Sequence, residues 1–143
     1  MNINVPNSYL KVFCLSLITL IVSCKKDMKT THENPLLQEW KGPYGGVPAF
    51  DTMNVNDIQE AVEVGMKLNL AEIDAIANST EAPTFENTIA AMERSGAELD
   101  RVFSYYGIMS SNMSSTEFRE IQAKLAPKLS EFSSKINQNK ALF

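Results

Sequence analysis

The sequence predicts an all-α fold, antiparallel helices set behind an irregular strap rich in proline, glycine and aromatic residues. Three observations predict it. Beyond residue 55, apolar side chains recur at three-four spacing in three successive stretches. Polar, Ser/Asn-rich breaks separate the stretches, and the connections are short enough to favour antiparallel neighbours. Proline and glycine crowd into the segment just before the first stretch, where they exclude a long helix.

The first helix is expected to start near Asn56 or Asp57, either of which can cap, with Gln59 and Glu60 placed for a capping box. Ile58, Val62, Met66, Ile73 and Ile76 then follow one face to about Ala77. Gly65 weakens the middle and leaves room for a close neighbour. The run Asn78-Ser79-Thr80-Glu81-Ala82-Pro83 ends the helix. Thr84 is the expected N-cap of the second, with Glu86 in the first turn, where the helix dipole favours an acid. Phe85, Ile89, Met92, Gly96, Leu99, Phe103 and Tyr106 form its stripe, read as continuous; Gly107 and the polar run after it end it. The third helix runs from about Thr116 towards Asn137, with Phe118, Ile121, Leu125, Leu129, Phe132 and Ile136 on one face. Pro127 lies inside this pattern and should kink the helix without ending it. The last residues, Lys140-Ala141-Leu142-Phe143, end on apolar side chains with no closing cap, which reads as an incomplete helical region over 56–143.

The strap, residues 34–55, holds Pro35, Gly42, Pro43, Gly45, Gly46 and Pro48. It also carries Leu36, Leu37, Trp40, Tyr44, Val47 and Phe50, side chains that a disordered linker would not concentrate. They are expected to pack onto the helices.

Residues 1–23 read as a targeting segment. Lys11 precedes an apolar stretch from Val12 to Val22, the length of a signal-peptide core and short for a membrane span. Leu20-Ile21-Val22-Ser23-Cys24 resembles the lipobox of bacterial lipoproteins. Ser23 is then the residue at the cleavage point, and the Cys24 thiol takes a diacylglycerol. Several acyl chains together hold a protein on a bilayer where one would be marginal. Removing 1–23 takes away Lys11 and no acid, so the net charge moves from −4 to −5. Residues 24–33 are polar and read as a tether. The expected location is the bacterial cell envelope, lipid-anchored to a membrane on the periplasmic side or at the outer membrane.

Composition narrows the chemistry. The formal charge of −4 is spread in alternating sign with no basic patch, which argues against a nucleic-acid partner. Only Cys14 and Cys24 are present, both near the N-terminus, so the body of the chain has no thiol nucleophile or ligand. The one histidine, His32, followed by Glu33, lies in the tether. A zinc hydrolase needs two histidines and a carboxylate on one helix face. The pairs Glu60/Glu63, Glu93/Glu98 and Glu117/Glu120 sit among Lys and Arg and read as solvated helix surface. No catalytic and no metal-ligating residue is assigned, and no cofactor is expected on this chain.

One series of motifs is more particular. Asn34-Pro35-Leu36-Leu37, Trp40, Pro43-Tyr44-Gly45 and Val47-Pro48-Ala49-Phe50-Asp51 are followed by Ala82-Pro83-Thr84-Phe85-Glu86-Asn87-Thr88-Ile89. Glu117-Phe118-Arg119-Glu120, Leu129-Ser130 and the closing 139–143 come after in the same order. Together they resemble the opening of peptidyl-dipeptidases of the thimet oligopeptidase (M3) family of zinc metallopeptidases. The resemblance implies a large helical enzyme with a deep channel, a zinc cofactor in the parent enzyme and short peptides as substrates, shortened from the C-terminus by dipeptides. It places the zinc ligands in a His-Glu-x-x-His helix far downstream, and no such residue exists here to carry over. The N-terminal helices of that family help wall the channel. The expected function is therefore an N-terminal fragment of such an enzyme, inactive by itself. The alternative is a stand-alone helical envelope lipoprotein serving as a binding or interaction module.

Overall fold

The computed structural model describes residues 34–42 and 46–143. The targeting segment, the tether, Ser23, Cys24 and His32 lie outside the described residues, as does the Pro43-Tyr44-Gly45 motif. The expected helical architecture is present. A 3-10 turn, Pro35–Leu37, opens the strap. Helix α1 spans Asp57–Ala77. A π-helical segment, Phe85–Ala90, leads directly into the short α2, Ala91–Arg94. Then come α3, Ala97–Ser111, and α4, Thr116–Asn137. Among the described residues the one β-type pairing is an isolated antiparallel bridge between Lys41 and Val47.

The strap is fastened at both ends by side chains. Asn34 Oδ1 accepts from the Leu36 N–H at 3.0 Å, and its amide donates to the Asp57 carbonyl at 2.9 Å. One buried asparagine thus caps the 3-10 turn and ties it to the first turn of α1. Further along, the Ala49 N–H donates to the Tyr105 hydroxyl at 2.8 Å. Trp40 and Phe50 both meet the Tyr105 ring edge-to-face, at centroid distances of 6.3 and 5.1 Å. The strap aromatics therefore pack as the sequence suggested, with a tyrosine of α3 as their hub. Gly46, at φ +94°, turns the chain so tightly that a Cβ would lie 2.5 Å from the Trp40 carbonyl carbon.

One helix start differs from expectation and one matches it. At α1 no capping box forms: Asn54 Oδ1 accepts from the Asn56 N–H at 2.9 Å, Gln59 turns to Glu63, and Glu60 accepts from Asn34. Of the two candidates, Asn56 takes the N-cap position, but with no side-chain cap hydrogen bond. At Thr84 the cap does form, with a full box whose second member is Asn87. The Asn87 N–H donates to Thr84 Oγ1 at 3.1 Å, and the Thr84 N–H donates to Asn87 Oδ1 at 2.7 Å.

The long second stripe is broken in two. Ser95 leaves the helix and Gly96 adopts φ +83°, left-handed backbone that suits glycine. The Gly96 N–H donates to the Glu72 carboxylate at 2.7 Å, and the Asn69 amide donates to Ser95 Oγ at 3.1 Å. A Cβ on Gly96 would stand 3.0 Å from Asn69 Nδ2. Two polar groups of α1 thus hold the break, and only the half of the stripe beyond it reaches the core. Phe85 and Ile89, ahead of the break, are 73% and 48% exposed.

The core joins all three long helices and the strap. Leu36, Ile58, Val62, Val102, Tyr105, Phe118 and Leu125 are almost fully buried in it. Gly65 faces Leu99, where a Cβ would come within 3.1 Å of the Leu99 Cα, so the glycine sets the close approach of α1 and α3. Direction follows from the cross-links. Gly65 meets Leu99 while Glu72 reaches Gly96, so α1 and α3 are antiparallel. Lys128 of α4 reaches Glu63 of α1, and beyond α4 Ala141 and Leu142 line a recess with Ile76 and Ala77 at the end of α1, so α1 and α4 run the same way. Hence α3 and α4 are antiparallel; Tyr106 meets Phe118 edge-to-face and Gln122 Nε2 donates to Ser110 Oγ at 3.1 Å near their short connection. Ser115 Oγ caps α4 by accepting from the Phe118 N–H at 3.1 Å, and the helix continues through Pro127 to Asn137. After it, the Asn139 side chain accepts from the Ala141 N–H at 3.0 Å and turns the closing residues.

Candidate functional site: an open groove between α1 and α4

The stripe of α4 is not equally covered along its length. Phe118, Ile121 and Leu125 are buried, whereas Leu129, Phe132 and Ile136 are only half-buried. The cause lies in α1 and α4 themselves. Both point the same way, and α3 fills the space between them at one end only. At the other end an open groove of about 560 Å³ remains. Met66, Leu70 and Phe132 give it an apolar floor. Glu63, Lys67 and Asp74 stand along the α1 rim, and Lys128, Glu131 and Lys135 along the α4 rim.

Two ion pairs stiffen this rim. The Lys128 ammonium donates to Glu63 Oε1 across the groove, and Gln59 donates to the same oxygen at 3.0 Å. The Lys128 hydrogen bond, then that of Gln59, hold the Glu63 carboxyl below its ordinary range against the opposing effect of burial. Lys135 does the same for Glu131 from one turn away, at 2.8 Å. A general acid needs its carboxyl pushed upward. These two are pushed down, which favours their charged forms.

The other acidic pairs disperse. Glu60 accepts from Asn34, Glu98 pairs with Arg101 at 3.3 Å, and Glu93 lies on the far side of the Gly96 break from Glu98. Glu117 and Glu120 are both exposed on the first turns of α4. Among the described residues no group of three or more His, Cys, Asp or Glu side chains converges as metal ligands would. The donor set here does not fit the zinc that the family resemblance implies, and no step of chemistry can be derived through it on these residues.

Sequence reasoning missed three features. Tyr105 is the anchor of the strap. Arg101 donates to the Leu37 carbonyl at 3.3 Å as well as to Glu98, so it pins the 3-10 turn to α3. The groove joins residues more than sixty positions apart. For the groove a signal did exist: the α4 stripe is longer than the three-helix core can cover.

No family model matches the chain. Two curated proteins do. The dipeptidyl carboxypeptidase of Salmonella typhimurium (strain LT2) is 36% identical over 110 residues, 77% of this chain and 16% of that protein. The dipeptidyl carboxypeptidase of Escherichia coli (strain K12) is 34% identical over 113 residues, 79% of this chain and 16% of that protein. The match thus spans about a sixth of each relative, which makes the relatives about five times as long as this chain. Over more than three quarters of its length, the chain is homologous to dipeptidyl carboxypeptidases.

Proposed function

We propose that this chain is the N-terminal helical part of a longer M3-type zinc peptidyl-dipeptidase. The parent enzyme removes C-terminal dipeptides from short peptides, and these helices form part of its channel wall. The observation that carries the reading is the homology to two dipeptidyl carboxypeptidases, each covered only in a sixth of its length. The isolated chain is inactive, because its one histidine and its scattered carboxylates supply no His-Glu-x-x-His constellation. The zinc belongs to the rest of the parent enzyme. Cys24, acylated after cleavage behind Ser23, anchors the protein to a membrane of the bacterial envelope. The apolar run before Cys24 and the abrupt change to Lys25-Lys26-Asp27 support that anchor.

Two experiments test the reading. Coding sequence beyond codon 143 should stay open and reach a His-Glu-x-x-His motif. A stop in intact sequence favours the alternative, a stand-alone envelope lipoprotein acting as an interaction module. Secondly, the purified chain with added zinc should release no dipeptide from a short peptide. Chelator-sensitive cleavage would contradict the assignment of the active site to the rest of the parent.

A further inference from the structure

We propose that the groove between the C-terminal halves of α1 and α4 seats one more amphipathic helix. This helix is supplied by the polypeptide that follows Phe143 and runs antiparallel to α4. The proposal rests on the reading that the chain is part of a longer enzyme.

The shape of the groove suits a helix. Its floor is a narrow apolar strip, Met66, Leu70 and Phe132, between two charged rims. Those rims belong to two helices that run the same way. In a bundle with short connections, the member lying between two parallel helices runs opposite to both, as α3 does at the closed end. Without that fourth member, Leu129, Phe132 and Ile136 continue the α4 stripe at three-four spacing past the last residue that α3 can cover.

The path of the chain supplies the direction. After α4 the backbone turns at Asn139, and Ala141 and Leu142 line a recess of about 190 Å³ with Ile76, Ala77 and Pro83. Ile76 and Ala77 are the last residues of α1, so the chain has reached the end at which the groove opens. A helix that follows with a short connection has one way to go, back down the groove. The homologous dipeptidyl carboxypeptidases are long enough to supply such a segment many times over.

Charge narrows the occupant. The six rim residues comprise three carboxylates and three ammonium groups, alternating along each rim. Lys67 and Asp74 make no ion pair among the described residues. A balanced rim of this kind gives no purchase to a nucleic acid or an anionic membrane, both of which ask for uniform positive charge. It fits a helix that carries both signs beside one apolar stripe.

The test uses cysteine accessibility. In a Cys14→Ser, Cys24→Ser background, Ala71→Cys places a thiol on the exposed lining of the groove with little change in volume. Leu70→Cys is the second probe. Labelling by a maleimide, normalised to the rate in denaturant, is measured in the 143-residue chain and in the longer protein. The expected result is rapid labelling in the short chain and labelling at least tenfold slower in the longer protein. An amine cross-linker should also join Lys67 or Lys135 to the first helix after Phe143. Equal rates in the two proteins would overturn the proposal, as would cross-links only to more distant segments. Protection that grows with concentration in the short chain would overturn it in favour of a second copy. An early stop in the coding sequence sinks the parent reading before any labelling, so the two failures are distinguishable.

Discussion

The two ends of this helix trio are built from the same stripes, yet one is closed and the other open. At the closed end, the strap, the first turns of α1, the last turns of α3 and the first turns of α4 converge on Tyr105 and Phe118. Tyr105 and Phe118 are almost fully buried there, and three polar ties hold the strap: Asn34 to Asp57, Tyr105 to Ala49, and Arg101 to Leu37. At the open end α1 and α4 still carry apolar residues at helical spacing, but between them lie only solvent and charged rims. Periodicity therefore describes what a helix is prepared to bury. The amount buried depends on how many helices are present to meet it.

The largest contrast should appear in truncation of apolar side chains. Phe118→Ala at the closed end is expected to cost about 3–5 kcal/mol, and Leu125→Ala about 2–5 kcal/mol. Phe132→Ala at the open end should cost about 1 kcal/mol, since its ring is only half-buried. Urea unfolding monitored by circular dichroism would measure all three; similar losses at both ends would erase the distinction.

Next in size is the break that separates α2 from α3. Gly96→Ala forces a Cβ onto backbone at φ +83° and against Asn69, and is expected to destabilise by about 1–3 kcal/mol. Helix-favouring behaviour at that site, seen as an unchanged or higher midpoint, would mean that α2 and α3 can run on as one. Smaller again is Tyr105→Phe, which keeps the ring contacts with Trp40 and Phe50 and removes only the acceptor for the Ala49 N–H. A loss of about 1 kcal/mol is expected, with faster hydrogen exchange confined to the strap.

The rim ion pair should give the smallest effect. Because the folded-state Glu63 carboxyl lies below its ordinary value of 4.5, its contribution is complete above that value. It is lost as pH falls through the lowered folded value. Partial exposure limits it to less than about 1 kcal/mol. Glu63→Gln should lower the urea midpoint slightly at pH 7 and leave it unchanged in acid, once the carboxyl is protonated in both folded and unfolded states. A larger difference in acid than at neutrality would contradict the pairing with Lys128.

Much of the fold was legible before the structure. The α1 and α4 bounds follow from Asp57, Ala77, Thr116 and Asn137, where capping residues or polar runs meet the stripes. The Thr84 cap could be read from one residue, because its box is local. What could not be read was anything set by distant partners. Asn56 and Asp57 are equivalent cap candidates in sequence, and the structure places Asn56 at the N-cap without a side-chain bond. The stripe from Phe85 to Tyr106 is periodic across Gly96, and only Glu72 and Asn69, over twenty residues earlier, hold it broken. The groove is an intermediate case: the long α4 stripe hints at it, but the shortage of neighbours that opens it is recorded in no single helix. The dispersal of the acidic pairs was foreshadowed by the Lys and Arg residues among them, although the cross-groove partner of Glu63 was not.

The central proposal is that these helices are the front of a longer, envelope-anchored peptidase. An antibody raised against residues 57–137 tests it most directly, applied to fractionated cells of the source bacterium. The account predicts a single membrane-fraction product about five times the 15.9 kDa of this chain. A product confined to about the size of the chain itself would contradict it.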